Sequence, residues 1–131
     1  MGYLIYPELS FKIIGIIFKV YNELGYGYRE KNYQKALEIA FKKEGLTYSK
    51  EAFVNIKYEG ESVGKYFIDF IIDNKIILEL KVGAIFHQND IKQLLSYLES
   101  RRMKLGILAL FSPSGVKYKR IVNNKIEVRD N

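Results

Sequence analysis

The segment from Tyr66 to Lys81 constrains this chain more tightly than any other. Two apolar runs meet at Asp73-Asn74 and read as an antiparallel hairpin. A two-residue turn would set Ile72 against Lys75 and send Asp69 and Glu79 to opposite faces. A three-residue loop over 73–75 instead sets Ile72 against Ile76 and Asp69 directly against Glu79. Side chains alternate faces with period two, so only the second register sorts them cleanly. One face then carries Ile68, Phe70, Ile72, Ile76, Leu78 and Leu80. The other carries Phe67, Asp69, Ile71, Ile77, Glu79 and Lys81. The apolar pattern selects the register that gathers two carboxylates and a lysine.

Carboxylates opposed across a strand pair repel, and something has to offset that cost. A hard divalent ion such as Mg²⁺ suits such oxygens and can activate water or polarise a phosphoryl group. Lys81, on the same face as Glu79, can position the water or stabilise charge developing on phosphorus. A solvated ladder of ion pairs on an exposed sheet face accounts for the hairpin about as well. The Ile and Phe neighbours tip the balance toward a partly covered site.

The flanking sequence places this hairpin in an α/β chain. A helix is expected over 10–24, with Ser10 as its cap and Gly25 as its stop, and with apolar residues nearly all round it. Gly25-Tyr26-Gly27 leads to a second helix over 29–43, which Gly45 ends. Strands follow over 52–58, 66–72 and 75–81, with a turn at 59–64. A third helix over 89–102 keeps Ile91, Leu94, Leu95 and Leu98 on one face. Strands over 105–111 and 116–122 complete the pattern, with a further short one near 126–128. This order implies an α/β sandwich with a mixed central sheet flanked by helices.

Composition sets outer limits. A length of 131 residues fits a single domain spanning 1–131. With no cysteine, zinc–thiolate sites and iron–sulfur clusters are excluded. A cytoplasmic location is the expectation, since the start (MGYLIYPELS) lacks a basic segment followed by an apolar run. The most apolar stretch, 13–18, is bounded by Lys12 and Lys19 and is far shorter than the roughly 20 residues of a membrane span. The net charge of +6 favours a polyanionic partner.

Other residues carry weaker signals. Gln93 and Tyr97 lie on one helical stripe, beside the apolar face and with Asp90. They can order a lysine or a nucleic-acid strand, although an ordinary helix border explains them as readily. Glu30 in the first turn of its helix suits the dipole there. Tyr26, Tyr28 and Tyr33 read better as core than as base-stacking residues. His87, the lone histidine, has no partner in sequence. Lys117, Lys119 and Arg120 can contact phosphate or simply guard a strand edge.

Taken together, these residues resemble a known family. Gly27-Tyr28-Arg29-Glu30-Lys31-Asn32-Tyr33 is a GxxExxY motif, and the chain is similar to the GxxExxY proteins over almost its whole length. The likeness also draws on Ile13-Ile14-Gly15, Glu23-Leu24-Gly25-Tyr26-Gly27, Ile77-Leu78-Glu79-Leu80-Lys81, Gln93-Leu94-Leu95-Ser96-Tyr97-Leu98 and Lys119-Arg120-Ile121-Val122. That family resembles the RecB-like branch of the PD-(D/E)XK nucleases. The resemblance implies a restriction-endonuclease-like αβββαβ core and a catalytic lysine at Lys81. It also implies Mg²⁺ or Mn²⁺ held at Asp69, Glu79 and Leu80. Glu30 is implied as an accessory acid, with Gln93 and Tyr97 in support. Family members often carry His where this chain has Tyr21 and Asp90.

The expected function is metal-dependent hydrolysis of phosphodiester bonds in DNA, with a homodimer as a possible assembly. The alternatives are a non-catalytic nucleic-acid-binding or assembly module that retains the fold, and a purely structural partner protein. An intact carboxylate–carboxylate–lysine set favours the enzyme, because acidic pairs bind phosphate poorly without metal.

Overall fold

The computed structural model describes residues 5–127. Two helices, α1 (Pro7–Leu24) and α2 (Glu30–Lys43), precede five strands: β1 (Tyr48–Ser49), β2 (Phe53–Tyr58), β3 (Glu61–Phe67), β4 (Phe70–Ile72) and β5 (Ile76–Val82). Helix α3 (Gln88–Arg101) then leads to β6 (Leu105–Ser112) and β7 (Gly115–Val122). The main sheet has the order β1-β4-β5-β6-β7, while β2 and β3 form a separate two-stranded sheet. Among the described strands only β5 and β6 run parallel, joined through α3. Every other pair is antiparallel. The result is a five-stranded mixed sheet flanked by helices, a restriction-endonuclease-like fold.

The two faces of this sheet carry separate cores. Helices α1 and α2 cover one, where Ile13, Ile17, Leu37 and Phe41 pack on Phe70, Ile72, Ile76, Leu78 and Leu80. Helix α3 covers the other, where Leu94, Tyr97 and Leu98 pack on Ile71, Ile77 and Leu108. Strand β6 lies between both layers and is buried along its whole length, as its unbroken apolar run requires.

The three-residue register of the hairpin is present: Ile72 pairs with Ile76, Ile71 with Ile77 and Phe70 with Leu78. Asp73 and Asn74 both take left-handed backbone angles in the turn, which short polar side chains tolerate. The strand expected over 66–72 is divided, however. Its first part pairs with β2 up to Phe67, and the chain then leaves that sheet to begin β4 at Phe70. Ile68 donates its amide to the Ala52 carbonyl and packs in the α3 core, away from Phe70 and Ile72. An apolar run carries no mark of a change of sheet, so its alternation reads straight through.

Other boundaries differ for local reasons. Helix α1 begins one turn before Ser10, with Pro7 in its first turn, where a missing amide costs nothing. Ser10 is buried and accepts a bond from Arg120, so it caps nothing. Most of the expected 59–64 turn is strand, with only Glu59 and Gly60 turning the chain. The two-residue β1 was not expected from sequence. Ile126 and Glu127 are not strand, and Val128 lies outside the described residues.

Candidate functional site

Strand β5 carries Glu79 and Lys81, and the bend between β3 and β4 carries Asp69. Across the gap each carboxylate binds the other strand's backbone. The Asp69 amide donates to Glu79 Oε2 at 2.7 Å, and the Leu80 amide donates to Asp69 Oδ2 at 2.8 Å. This reciprocal pair takes over where the ladder from Phe70 stops. It fixes both side chains and leaves the two carboxyl groups side by side.

That arrangement is electrostatically uncomfortable. Glu79 is 4 % exposed. Burial first, and then the charge of Asp69, push its pKa up to about 8. Asp69 is raised as well, chiefly by burial, with the Leu80 amide, Lys81 and Gln34 pulling the other way. The ammonium of Lys81 lies 4.0 Å from Asp90 Oδ1, so its charge is shared with a third acid.

Two helices close around the pair. In α2, Glu30 is held above its ordinary range by burial and by the charges of Asp69 and Asp90, against Lys81. The turn before it explains the spacing of Gly27, Glu30 and Tyr33. Gly25 and Gly27 adopt positive φ, and the buried Tyr33 hydroxyl donates to the Gly25 carbonyl and accepts the Tyr28 amide. Tyr33 thus locks the turn that aims Glu30 at the sheet, whereas Tyr26 and Tyr28 are exposed. In α3, the buried Tyr97 is held far above its ordinary range by burial and by the charges of Glu79 and Asp69. Gln93 sits one turn earlier on the same helix and is half-buried.

The sequence reading missed Gln34. Its amide donates to Glu30 Oε1 at 3.4 Å, and its side chain favours the charged form of Asp69, so it sits on the α2 side of the bend. The available signal was its place four residues after Glu30, on one helical stripe. His87 is exposed at the start of α3. The three basic residues of β7 do not stay together. Lys117 aligns through Leu110 with Lys81, and Lys119 through Leu108 with Glu79, so both lie on the sheet face of the pair. Arg120 faces α1, where it donates to Ser10 Oγ and to the Ile5 carbonyl.

The donor set fits a hard divalent cation. Among the described residues no three acidic or histidine side chains are gathered closely enough to hold an ion by themselves. Two oxygen-bearing acids beside the Leu80 main chain, completed by water, are a set of the kind Mg²⁺ takes. Burial raises both carboxyl groups above their ordinary range, and a cation between them would offset that cost.

Comparison with known proteins agrees with this frame. Among solved structures, the chain is similar to SSO0001 at 20 % identity with a TM-score of 0.57. The likeness covers 90 % of this chain but 57 % of that one, so the chain spans little more than half of that protein. No curated protein matches the sequence. The family model of the PD-(D/E)XK nuclease superfamily matches residues 7–121. The chain therefore belongs to the PD-(D/E)XK nuclease superfamily, whose members are generally nucleases.

Proposed function

We propose that the protein is a divalent-metal-dependent nuclease that hydrolyses phosphodiester bonds in DNA, acting as a single nuclease domain. The observation that carries this reading is the reciprocally bonded pair of half-buried Asp69 and buried Glu79, with Lys81 on the same strand as Glu79. The Gly27, Glu30 and Tyr33 spacing and the Gln93–Tyr97 pair support the GxxExxY type within the RecB-like branch.

In this reading Asp69, Glu79 and the Leu80 carbonyl hold Mg²⁺ or Mn²⁺. When bound, the ion supplies Lewis-acid polarisation of the phosphoryl group and activation of water. Lys81 brings positive charge to the phosphate oxygens as negative charge builds on them. The Leu80 amide keeps Asp69 in its orientation, Gln34 holds Glu30 and favours the charged form of Asp69, and Glu30 adds an acidic group at the edge of the site. Tyr97 and Gln93 wall the site on the α3 side. Lys117 and Lys119 extend the same sheet face by two strands, about 10 Å from the Glu79–Lys81 line, as a track for the backbone of the DNA.

The test is cleavage of labelled single-stranded, duplex and branched DNA with Mg²⁺ or Mn²⁺, beside Glu79→Gln. Metal-dependent cutting that falls to background in the variant is the expected outcome. DNA binding without cutting of any substrate, unchanged by Glu79→Gln, would replace this reading with that of a binding module.

A further inference from the structure

The β2–β3 hairpin has two unlike faces. Val54 and Ile56 point inward and pack in the α3 core. On the outer face the cross-strand pairs are Phe53 with Phe67 and Asn55 with Lys65. Outward positions of a two-stranded sheet are ordinarily polar. Here Phe53 is 41 % and Phe67 60 % exposed, their ring centroids 6.3 Å apart. The Lys65 ammonium lies 4.3 Å from the Phe53 ring centroid. Exposed aromatic area with a cation set into it calls for an occupant.

The position of this face narrows the choice. Phe67 ends β3 two residues before Asp69, so the aromatic pair adjoins the candidate site. Lys65 lies at the end near Asp69, while at the far turn Glu59 and Glu61 outnumber Lys57. The cation a polyanion needs beside the rings is thus at the aromatic end, and the tip is net acidic. The open Phe67 ring, beside a Phe53 ring whose Lys65 ammonium is free to turn to a phosphate, matches an unpaired base with its neighbouring phosphate, since bases stack on aromatic faces whatever their sequence. A second copy of the chain fits less well, because symmetric contact would bring two Lys65 ammonium groups into one apolar interface.

We propose that the outer face of β2–β3 binds unpaired bases of a single-stranded stretch of DNA. Phe53 and Phe67 stack on the bases, and Lys65 meets the phosphate between them. That the strand continues toward Asp69 and Glu79 rests on the nuclease reading; the binding itself does not.

The test is metal-free anisotropy with a fluorescein-labelled oligothymidylate and with a closed duplex hairpin, so that no cleavage is read. Phe53→Ala and Phe67→Ala are each expected to weaken oligothymidylate binding about 5- to 100-fold, with little change for duplex. Phe67→Trp should retain affinity and Phe67→Leu should not, which separates stacking from mere apolarity. The emission of an oligonucleotide containing 2-aminopurine should change on binding the wild type and not on binding Phe67→Ala. Unchanged affinity in both alanine variants, or emission unaltered by the wild type at saturation, would overturn the proposal. So would sedimentation showing that these variants dissociate a wild-type dimer while oligothymidylate binding is unaffected. An absence of nuclease activity leaves every one of these readings intact.

Discussion

Glu79 concentrates the energetic tension of the molecule in one side chain. Its folded pKa of about 8, against an ordinary value of 4.5, means that the folded state holds this proton more tightly than the unfolded chain. The associated stability is present in full below about pH 4.5 and is lost as pH rises through 8. Asp69 is shifted in the same direction and adds to the trend. Metal-free protein should therefore show a falling urea midpoint between these pH values, and Glu79→Gln should remove most of the slope. Mg²⁺ should recover stability at the upper end, where the carboxylates are charged and bind it best. A midpoint that is flat or rising over this window in the wild type would contradict the assignment. Arg120 offers the opposite case at the same scale. Its bonds to Ser10 and the Ile5 carbonyl tie β7 to the start of α1, so Arg120→Ala should cost about 1–2 kcal/mol in denaturation.

At the scale of elements, the seating of α3 on the sheet decides whether Tyr97 reaches the carboxylates. Gly106 in β6 lets the helix come this close. A methyl group there would stand 2.9 Å from Leu94 Cγ and Cδ1, and Leu94 is fully buried. Gly106→Ala should thus destabilise the fold by about 1–3 kcal/mol, as overpacking does. It should also shift the Tyr97 environment, read as a changed tyrosine titration or near-ultraviolet circular dichroism. An unaltered midpoint would show that the α3 layer yields more easily than its packing implies. The turn before α2 is a comparable device, since the Tyr33 hydroxyl holds the chain that aims Glu30.

For the whole molecule, the net charge of +6 matters less than where it lies. Lys117 and Lys119 share the sheet face of Glu79 and Lys81, whereas Arg120 is spent on α1. Replacing both lysines with alanine should weaken duplex binding across sequences and reduce the slope of log K against log salt by up to about 2. The folded stability should hardly change, because both side chains are exposed. A salt slope equal to that of the wild type would show that the DNA lies elsewhere. No helix among the described residues is long and apolar enough to cross a membrane.

Local physics was enough to read the β4–β5 hairpin from the sequence. Alternation of apolar residues around Asp73-Asn74 selects the register that pairs Ile72 with Ile76, and the chain that continues from it brings Asp69 to the strand of Glu79. The unbroken run of β6 and the stripe of α3 are equally local signals. What joins those pieces is not local. The change of sheet at Ile68 and the approach of Glu30, Gln34 and Tyr97 to the carboxylates depend on how separate layers pack. The division of Lys117 and Lys119 from Arg120 follows from strand parity combined with the side each helix takes. Periodicity specifies which face a side chain occupies, but only the packed layers determine what that face meets.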